Sequence, residues 1–255
     1  MATGRFTDDP LLAEYVSVED GDATMLVRRA WETHASLLGL HGTPEATAGR
    51  AGGGREAHPV VALPSGERAV VRTYRRGGAV RHLNRERYFL GHRAFAELRA
   101  AEAARRGSVR TPLPLAATER RAGVGYTAHF ATLWVPDARD LAAWLADADP
   151  VRRLEVLREA GWQVGRMHRA GVKHPDLNLR NLLVRDPGEG APEVYLLDFD
   201  RARVYPGPVP GCQSGRDLLR LARSARKLRV SIGREGWAAL EKGYGAGWPL
   251  REALG

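Results

Sequence analysis

The chain of 255 residues lacks several features whose absence excludes whole classes of protein. It contains one cysteine, Cys212, so an internal disulfide is excluded and we expect a reducing compartment. No apolar run approaches the roughly 18 residues that a membrane-spanning helix needs. No charged region followed by an apolar core marks the N-terminus as a targeting signal. We therefore expect a cytoplasmic protein, or one that attaches only peripherally to the cytoplasmic face of an inner membrane.

Lysine is also nearly absent, and this deficit shapes the charge of the chain. Lysine and arginine total 39 residues against 30 acidic ones, a net charge of +9, and all but three of the basic residues are arginine. Arginine favours planar recognition of phosphate or carboxylate, so nucleic acid, an anionic membrane and an anionic small substrate would all be attracted. A G+C-rich genome would enrich arginine as well, so composition does not choose among these partners. No glycine-lysine-serine or glycine-lysine-threonine sequence occurs, which excludes a Walker motif.

One stretch of the chain carries recognisable chemistry. Residues 174–181 read His-Pro-Asp-Leu-Asn-Leu-Arg-Asn, and a later apolar run ends in Leu-Asp-Phe-Asp at 197–200. Enzymes that move the γ-phosphoryl group of ATP place an acid, an amide and a second acid at this spacing. We expect Asp176 to accept the hydroxyl proton, and Asn181 and Asp198 to hold Mg²⁺ through hard oxygen ligands. A single Asp or Asn is often only a turn residue, but the combination favours a kinase.

The segments around this stretch have the periodicity of a helix and of short strands. A helix is predicted over 151–167 because its apolar residues recur at three- and four-residue steps, and Gly171 can end it. His168, at the edge of that face, is predicted to be a packed structural residue rather than a metal ligand. Further predicted elements are strands over 182–184 and 194–197, a helix over 214–229, and core packing for Trp237, Leu240, Tyr244 and Trp248.

The first part of the chain reads mainly as strands, and 44 % hydrophobic residues suffice for a sizeable core. The expected elements are a β-hairpin over 60–63 and 68–72, a helix over 81–106, and a strand pair over 113–135. Pro136 should then interrupt the strand, and Asp137 is predicted to cap the following helix. We expect the hinge between two lobes at this point.

The quoted motifs resemble the lipopolysaccharide kinase family, and within it the 3-deoxy-D-manno-octulosonic acid (Kdo) kinases. Residues 171–178, Asn181 and 197–201 carry the resemblance, and 70–78 and 84–88 are similar to the same branch. The resemblance implies an α+β, two-lobed protein-kinase-like fold, with an N-terminal antiparallel sheet and one helix followed by a mainly helical C-terminal lobe. It places the nucleotide-binding lobe at residues 1–135 and the catalytic lobe at 136–255.

The same resemblance implies the activity and the partners. ATP and Mg²⁺ would be the cofactors, and the acceptor would be the 4-hydroxyl of Kdo on a lipid A precursor, or another sugar. Asn178 would help to position the loop or the acceptor. An anionic membrane surface is a further partner that the charge would suit, whereas nucleic acid is not expected. Asp200 stands where protein kinases have glycine, and the sequence does not decide whether it binds metal.

Two features of the N-terminal part correspond to the nucleotide site of kinases. A glycine cluster over 49–55 stands where a loop should cover the phosphates, and we assign the contacts to Gly52, Gly53 and Gly54. Its spacing departs from that of protein kinases. The strand lysine is replaced by Arg72, which we expect to bind phosphate or a helix carboxylate. Glu97 is the first choice for that carboxylate and Glu86 the second.

Several alternatives stay open at the level of sequence. An inner-core heptose kinase, an aminoglycoside-type small-molecule kinase and a protein kinase share the fold, although the 55 residues after Asp200 favour a small or lipid-linked acceptor. A basic pseudokinase that only binds is the alternative outside catalysis. Arginines at 75, 76, 81, 85 and 87 form a basic patch that could meet the carboxylate of Kdo or the phosphates of lipid A. The basic helix over 214–229 could instead lie on an anionic leaflet.

Overall fold

The structure is a computed structural model that describes residues 8–51, 57–75, 92–122 and 125–249. The chain groups into two compact units, one formed by Met1–Glu102 with Leu113–Trp134 and the other by Ala103–Pro112 with Val135–Gly255. The functions that the sequence assigns to residues 1–135 and 136–255 stay predictions. Among the described residues, no helix combines the length and the apolar character needed to cross a bilayer.

The first unit is built on an antiparallel sheet with the strand order β1-β2-β6-β7-β5-β4-β3. The strands are β1 (Tyr15–Asp20), β2 (Ala23–Arg28), β3 (Arg50–Ala51), β4 (His58–Ala62), β5 (Arg68–Arg75), β6 (Pro114–Ala122) and β7 (Gly125–Leu133). The predicted hairpin is confirmed, since β4 pairs with β5 and Val60 lies opposite Val70. The predicted strand pair is confirmed as β6 and β7.

Alternation along β5 divides its side chains between two faces of the sheet. Ala69 and Val71 are fully buried in an apolar cluster that also contains Met25 and Leu115. Arg72, the next residue, therefore points to the opposite face. Helix α1 (Arg93–Arg106) carries Glu97, which Arg72 contacts.

Two parts of this unit differ from the sequence prediction. β1, β2 and two 3-10 helices, Pro10–Leu12 and Arg29–His34, precede the glycine cluster, where no element was expected. Val27 and Met25 are fully buried, so this early hairpin contributes to the core. The helix expected over 81–106 is described from Arg93 to Arg106, and 81–91 lie outside the described residues.

The second unit combines small sheets with helices. Its strands are β8 (Ala138–Asp140), β9 (Val172–Lys173), β10 (Leu182–Arg185), β11 (Glu193–Leu196) and β12 (Arg203–Val204), and its helices are α2 (Leu141–Leu145), α3 (Pro150–Arg169), α4 (Gly211–Lys227) and α5 (Gly233–Tyr244). The strand pair predicted around the turn at 186–188 is confirmed as β10 and β11. The helix predicted over 214–229 is found as α4.

Two sequence predictions for this unit were wrong in detail. Asp140, not Asp137, caps α2, because the Asp140 side chain accepts a hydrogen bond from the Ala143 amide. Asp137 has a φ of 54° and precedes β8, so it belongs to a turn. Val151 is 70 % exposed although it fits the apolar spacing of α3, because it lies in the first turn of the helix, before the packed face begins.

Glycines allow α3 and α5 to approach at backbone distance. A Cβ atom placed on Gly161 would lie 2.0 Å from the Leu240 carbonyl oxygen, and one placed on Gly243 would lie 1.8 Å from the Arg158 carbonyl oxygen. Any larger residue would force the helices apart. This contact packs α5 against the helix that precedes the loop containing Asp176, and it brings Tyr244 to the side chain of His168.

A buried carboxyl group in the first unit makes stability depend on pH. The Glu119 side chain is 13 % exposed, and its Oε2 lies 3.0 Å from His92 Nδ1. Burial raises the pKa of Glu119 from 4.5 to about 7, although the amides of Ala94 and His92 oppose the shift. Burial also lowers the pKa of His92.

In the wild-type protein, Glu119 should make the free energy of unfolding fall as pH rises from about 4.5 to 7, and we expect Glu119→Gln to abolish this fall. In this window the folded state keeps a proton that the unfolded state has released, so the free energy of unfolding falls with rising pH. The loss is on the order of 3 kcal/mol for a shift of this size. Urea unfolding at pH 5 and pH 7 measures it. His92 contributes with the opposite sign and contacts Glu119 directly, so both proteins are compared in a His92→Asn background, which removes the histidine titration. An equal slope in both would contradict the assignment, and Glu19→Gln, an exposed change on β1, is the control.

Candidate active site

The loop between β9 and β10 is held by its own asparagine side chains. Asn178 and Asn181 each donate a hydrogen bond from Nδ2 to the carbonyl oxygen of Asp176, at 2.9 Å in both cases. Asn178 Oδ1 accepts the amides of Arg180 and Asn181 at 2.9 and 3.3 Å, and so caps the 3-10 helix Leu179–Asn181. The backbone of Asp176 is thus fixed while its side chain stays exposed.

Two hydrogen bonds connect this loop to the segment that carries Asp198. The Leu197 amide donates to the Asn181 carbonyl oxygen at 2.9 Å. His174 Nε2 lies 2.8 Å from the Leu197 carbonyl oxygen, which can only accept, so the proton resides on Nε2. The structure therefore brings 174–181 and 197–200 together, and Asp198 follows directly with a φ of 62°. A non-glycine residue in this left-handed region is held there by its surroundings.

The side chains available for a divalent cation fit magnesium. Asn181 uses Nδ2 within the loop, which leaves its Oδ1, the hard oxygen that Mg²⁺ prefers, unbonded among the described residues. Asp198 supplies a carboxylate on the adjoining segment, and Asp200 is partly buried two residues later. Within the described ranges no cluster of three or more His, Cys, Asp or Glu side chains forms a metal site. Magnesium is usually held by one or two carboxylates together with phosphate and water, so this sparse donor set is sufficient.

Two residues of helix α4 that the sequence did not reveal hold the loop between β9 and β10 in place. Asp217 is 1 % exposed, and its Oδ2 accepts the His174 amide at 2.8 Å. Ser224 Oγ accepts the Leu179 amide at 3.1 Å. The available signal was an aspartate within the apolar face formed by Leu218 and Leu221. A carboxylate at such a position requires a buried partner.

His168 completes the support as the packed residue that the sequence predicts. Its Nε2 lies 3.4 Å from Asp217 Oδ2, and its Nδ1 lies 3.0 Å from the Tyr244 hydroxyl. Burial lowers the pKa of His168, although Asp217 acts in the opposite direction. The histidine is therefore a neutral link between α3, α4 and α5. Leu240, Tyr244 and Trp248 are buried, and Trp237 is partly buried.

In the first unit, Arg72 lies against the carboxylate that was its first predicted partner. Arg72 Nη1 donates to Glu97 Oε1 at 3.0 Å, and the Glu97 side chain is fully buried. The Tyr74 hydroxyl bonds to Glu97 Oε2, and the Arg72 guanidinium lies 5.3 Å from the centre of the Tyr74 ring. The pair thus joins β5 to α1. Its role toward nucleotide stays a prediction.

Several predicted residues cannot be placed. Gly52, Gly53, Gly54 and Glu86 lie outside the described residues, as do four arginines of the predicted basic patch, Arg76, Arg81, Arg85 and Arg87. The α4 helix is described, and Leu218, Leu221 and Ala225 on its apolar face are buried in the protein. The exposed face of α4, which carries its arginines together with Leu219, therefore remains for any contact with a membrane.

Comparisons with known proteins agree on one family. The model of the "Lipopolysaccharide kinase (Kdo/WaaP) family" matches residues 47–244. A 3-deoxy-D-manno-octulosonic acid kinase of Xanthomonas euvesicatoria pv. vesicatoria is 35 % identical over 205 residues, which cover 77 % of this chain and 78 % of that protein. The enzyme of the same name from Vibrio vulnificus strain YJ016 is 32 % identical over 166 residues, covering 64 % and 66 %.

A solved structure gives the same fold. WaaP in complex with acyl carrier protein is similar with a TM-score of 0.59 and 18 % identity, and the match covers 86 % of this chain and 88 % of that one. At this identity the likeness concerns the fold alone. The kinase-like α+β fold expected from the sequence is confirmed.

Proposed function

Because the chain belongs to the lipopolysaccharide kinase (Kdo/WaaP) family, we propose that it transfers the γ-phosphoryl group of ATP to the 4-hydroxyl of Kdo on a lipid A precursor. The chain is an ATP-dependent kinase, as the sequence predicts, and a module that only binds is set aside. Its acceptor is a lipopolysaccharide sugar. The 4-hydroxyl is the finer assignment, supported by relatives named Kdo kinases.

The arrangement of the catalytic loop is the observation that carries the proposal. Asp176 is exposed at a fixed backbone position, so it can accept the proton of an incoming hydroxyl without first ordering the loop. Asn178 uses both ends of its amide on the loop backbone, which supports a positioning role. Asn181 and Asp198 would hold Mg²⁺, which neutralises charge on the transferred phosphoryl group when bound.

Arg72 and Glu97 would serve the nucleotide. A guanidinium offers donors to a phosphate while one of its nitrogens stays on a carboxylate, and Arg72 Nη1 is the nitrogen on Glu97. The glycine cluster at 52–54 would cover the phosphates. These roles rest on the pairing at 3.0 Å and on the kinase fold.

Product analysis tests the proposed reaction. The protein is incubated with ATP, Mg²⁺ and a panel of acceptors: a Kdo-bearing lipid A precursor, an inner-core heptose acceptor, an aminoglycoside and a generic protein. Mass spectrometry should find one added phosphate on the Kdo acceptor, and NMR should place it at position 4. Transfer to heptose alone would move the assignment to that sugar, and transfer at another Kdo hydroxyl would reject the position.

We expect Arg72→Ala to raise the KM for ATP about tenfold and to lower kcat. One charged hydrogen bond to phosphate is worth roughly 1.5–3 kcal/mol, and the buried Glu97 would also lose its cation. Steady-state kinetics with ATP as the varied substrate measures both constants. Arg68→Ala removes the same charge from an exposed position on the same strand and should leave both constants unchanged. Equal kinetics for the two variants would remove Arg72 from the nucleotide site.

A further inference from the structure

A cavity of about 510 Å³ opens beside the catalytic loop in the second unit. Its walls come from four stretches of the chain: the end of β8 with helix α2, Arg153 on α3, Arg180 in the loop between β9 and β10, and the turn that follows α4. The residues that line it include Asp140, Leu145, Arg153, Arg180, Arg229 and Ser231. We call it the Arg180 cavity. The sequence alone does not predict this cavity, because the residues of its walls are far apart along the chain.

The Arg180 cavity carries an excess of positive charge. Three arginines and one aspartate line it, and Asp140 Oδ1 is already engaged by the Ala143 amide at 2.9 Å. In the part of the chain that the structure describes, Arg153, Arg180 and Arg229 make no ion pair with a carboxylate. Other arginines of this unit do, such as Arg152 with Asp186. Unbalanced guanidinium groups around a concave surface attract and orient anions.

Arg153 holds the walls of the cavity in place. It donates from Nη1 to the Leu145 carbonyl oxygen at 3.1 Å and from Nη2 to the Ser231 carbonyl oxygen, and so links the end of α2 to the turn after α4. That turn is closed by the Arg229 amide, which donates to the Arg226 carbonyl oxygen at 3.1 Å, and Arg229 has a φ of 56°. The shape of the cavity is therefore set before any ligand arrives.

Arg180 connects the cavity to the reacting groups. Its amide donates to Asn178 Oδ1 at 2.9 Å, and Asn178 Nδ2 holds the carbonyl oxygen of Asp176 at the same distance. Arg180 is exposed, and it lies within the same short loop as the proposed base. The backbone of Arg180 is therefore fixed relative to that of Asp176, so an anion bound by the Arg180 side chain would be held by the same short loop that carries the proposed base.

We propose that the Arg180 cavity binds an anionic group of the acceptor, with Arg180 and Arg229 as its ligands and Arg153 as the residue that shapes it. This proposal rests on the proposed function, because the acceptor defined there carries anionic groups. The group is a carboxylate or a phosphate monoester, both of which a guanidinium binds with two parallel hydrogen bonds. Binding there holds the acceptor so that its hydroxyl is presented to the catalytic loop.

Kinetics with the acceptor as the varied substrate tests the proposal. Arg180→Ala and Arg229→Ala should each raise the acceptor KM about tenfold, the size expected from one charge-assisted contact. The KM for ATP should stay constant, which a general disturbance of the fold would not produce. Arg226→Ala removes the same charge from α4, three residues before Arg229 and outside the cavity, and should change neither constant. An unchanged acceptor KM in both cavity variants overturns the proposal while the proposed function stands.

Two further arms identify the anion and separate the two proposals. Two modified acceptors are compared, one with its carboxylate esterified and one without the lipid phosphates. Arg180→Ala should no longer raise the KM for the acceptor that lacks the group bound in the cavity, and it should still raise the KM for the other. If the wild-type protein phosphorylates no Kdo acceptor, the proposed function fails. The cavity is then tested by titrating the wild-type protein with inorganic phosphate and following its amide NMR signals. Saturable shifts confined to Arg180, Arg229 and Ser231 support the site, and shifts spread over surface arginines overturn it.

Discussion

Asp176→Asn is expected to lower kcat by about 10²- to 10⁴-fold, the contribution of a positioned general base. The substitution keeps the size of the side chain but removes its capacity to accept a proton. Since the side chain is exposed and the loop is held through the Asp176 carbonyl oxygen, the bonds from Asn178 and Asn181 should persist. The KM for ATP should therefore change little. Single-turnover transfer from radiolabelled ATP to the Kdo acceptor measures the chemical step.

Two controls make this expectation sharp. Asp147→Asn neutralises an exposed acid of the same unit and should retain full activity. Thermal unfolding of Asp176→Asn should coincide with that of the wild-type protein, because no buried contact is lost. A wild-type rate in Asp176→Asn would show that Asp176 is not the general base.

The catalytic loop could be read from the sequence because its information is local. Asp176, Asn178 and Asn181 lie within six positions, so their types and spacing determine the hydrogen bonds that close the loop. The pairing of Arg72 with Glu97 spans 25 positions and was anticipated from the arrangement of the kinase fold. The sequence offered two candidate glutamates, Glu97 and Glu86. Only the packing of α1 on the sheet selects Glu97.

Features that depend on distant packing could not be read in the same way. Asp137 and Asp140 are both acceptable helix caps, and which one is used depends on where β8 pairs with β10. Asp217 lies 43 positions from His174, whose amide donates a hydrogen bond to it. The Arg180 cavity needs four separate segments of the chain to form its walls. In each case the residue type was visible in the sequence, but its partner was determined by tertiary structure.

Asp217→Ala is expected to lower kcat on the order of 100-fold, the cost of displacing reacting groups by about 1 Å. It should also destabilise the second unit by about 1–3 kcal/mol, the cost of leaving a buried donor unsatisfied. Asp217 touches no proposed substrate group, so it is a positioning residue that acts through the amide of His174. Without Asp217, His174 can shift and so displace the hydrogen bond from His174 Nε2 to the Leu197 carbonyl oxygen, next to Asp198. The damage should therefore appear mainly in kcat, measured at saturating ATP and acceptor.

Asp217→Asn separates positioning from charge. The side-chain oxygen of asparagine can still accept the hydrogen bond from the His174 amide, so Asp217→Asn should retain most of the activity that Asp217→Ala loses. If the negative charge itself were needed, both variants would be equally slow. Arg216→Ala, an exposed change at the neighbouring position of α4, should behave as the wild-type protein. If Asp217→Ala keeps full kcat while its melting temperature falls, the aspartate stabilises the fold without positioning the catalytic loop, and the connection from α4 through His174 to Asp198 is wrong.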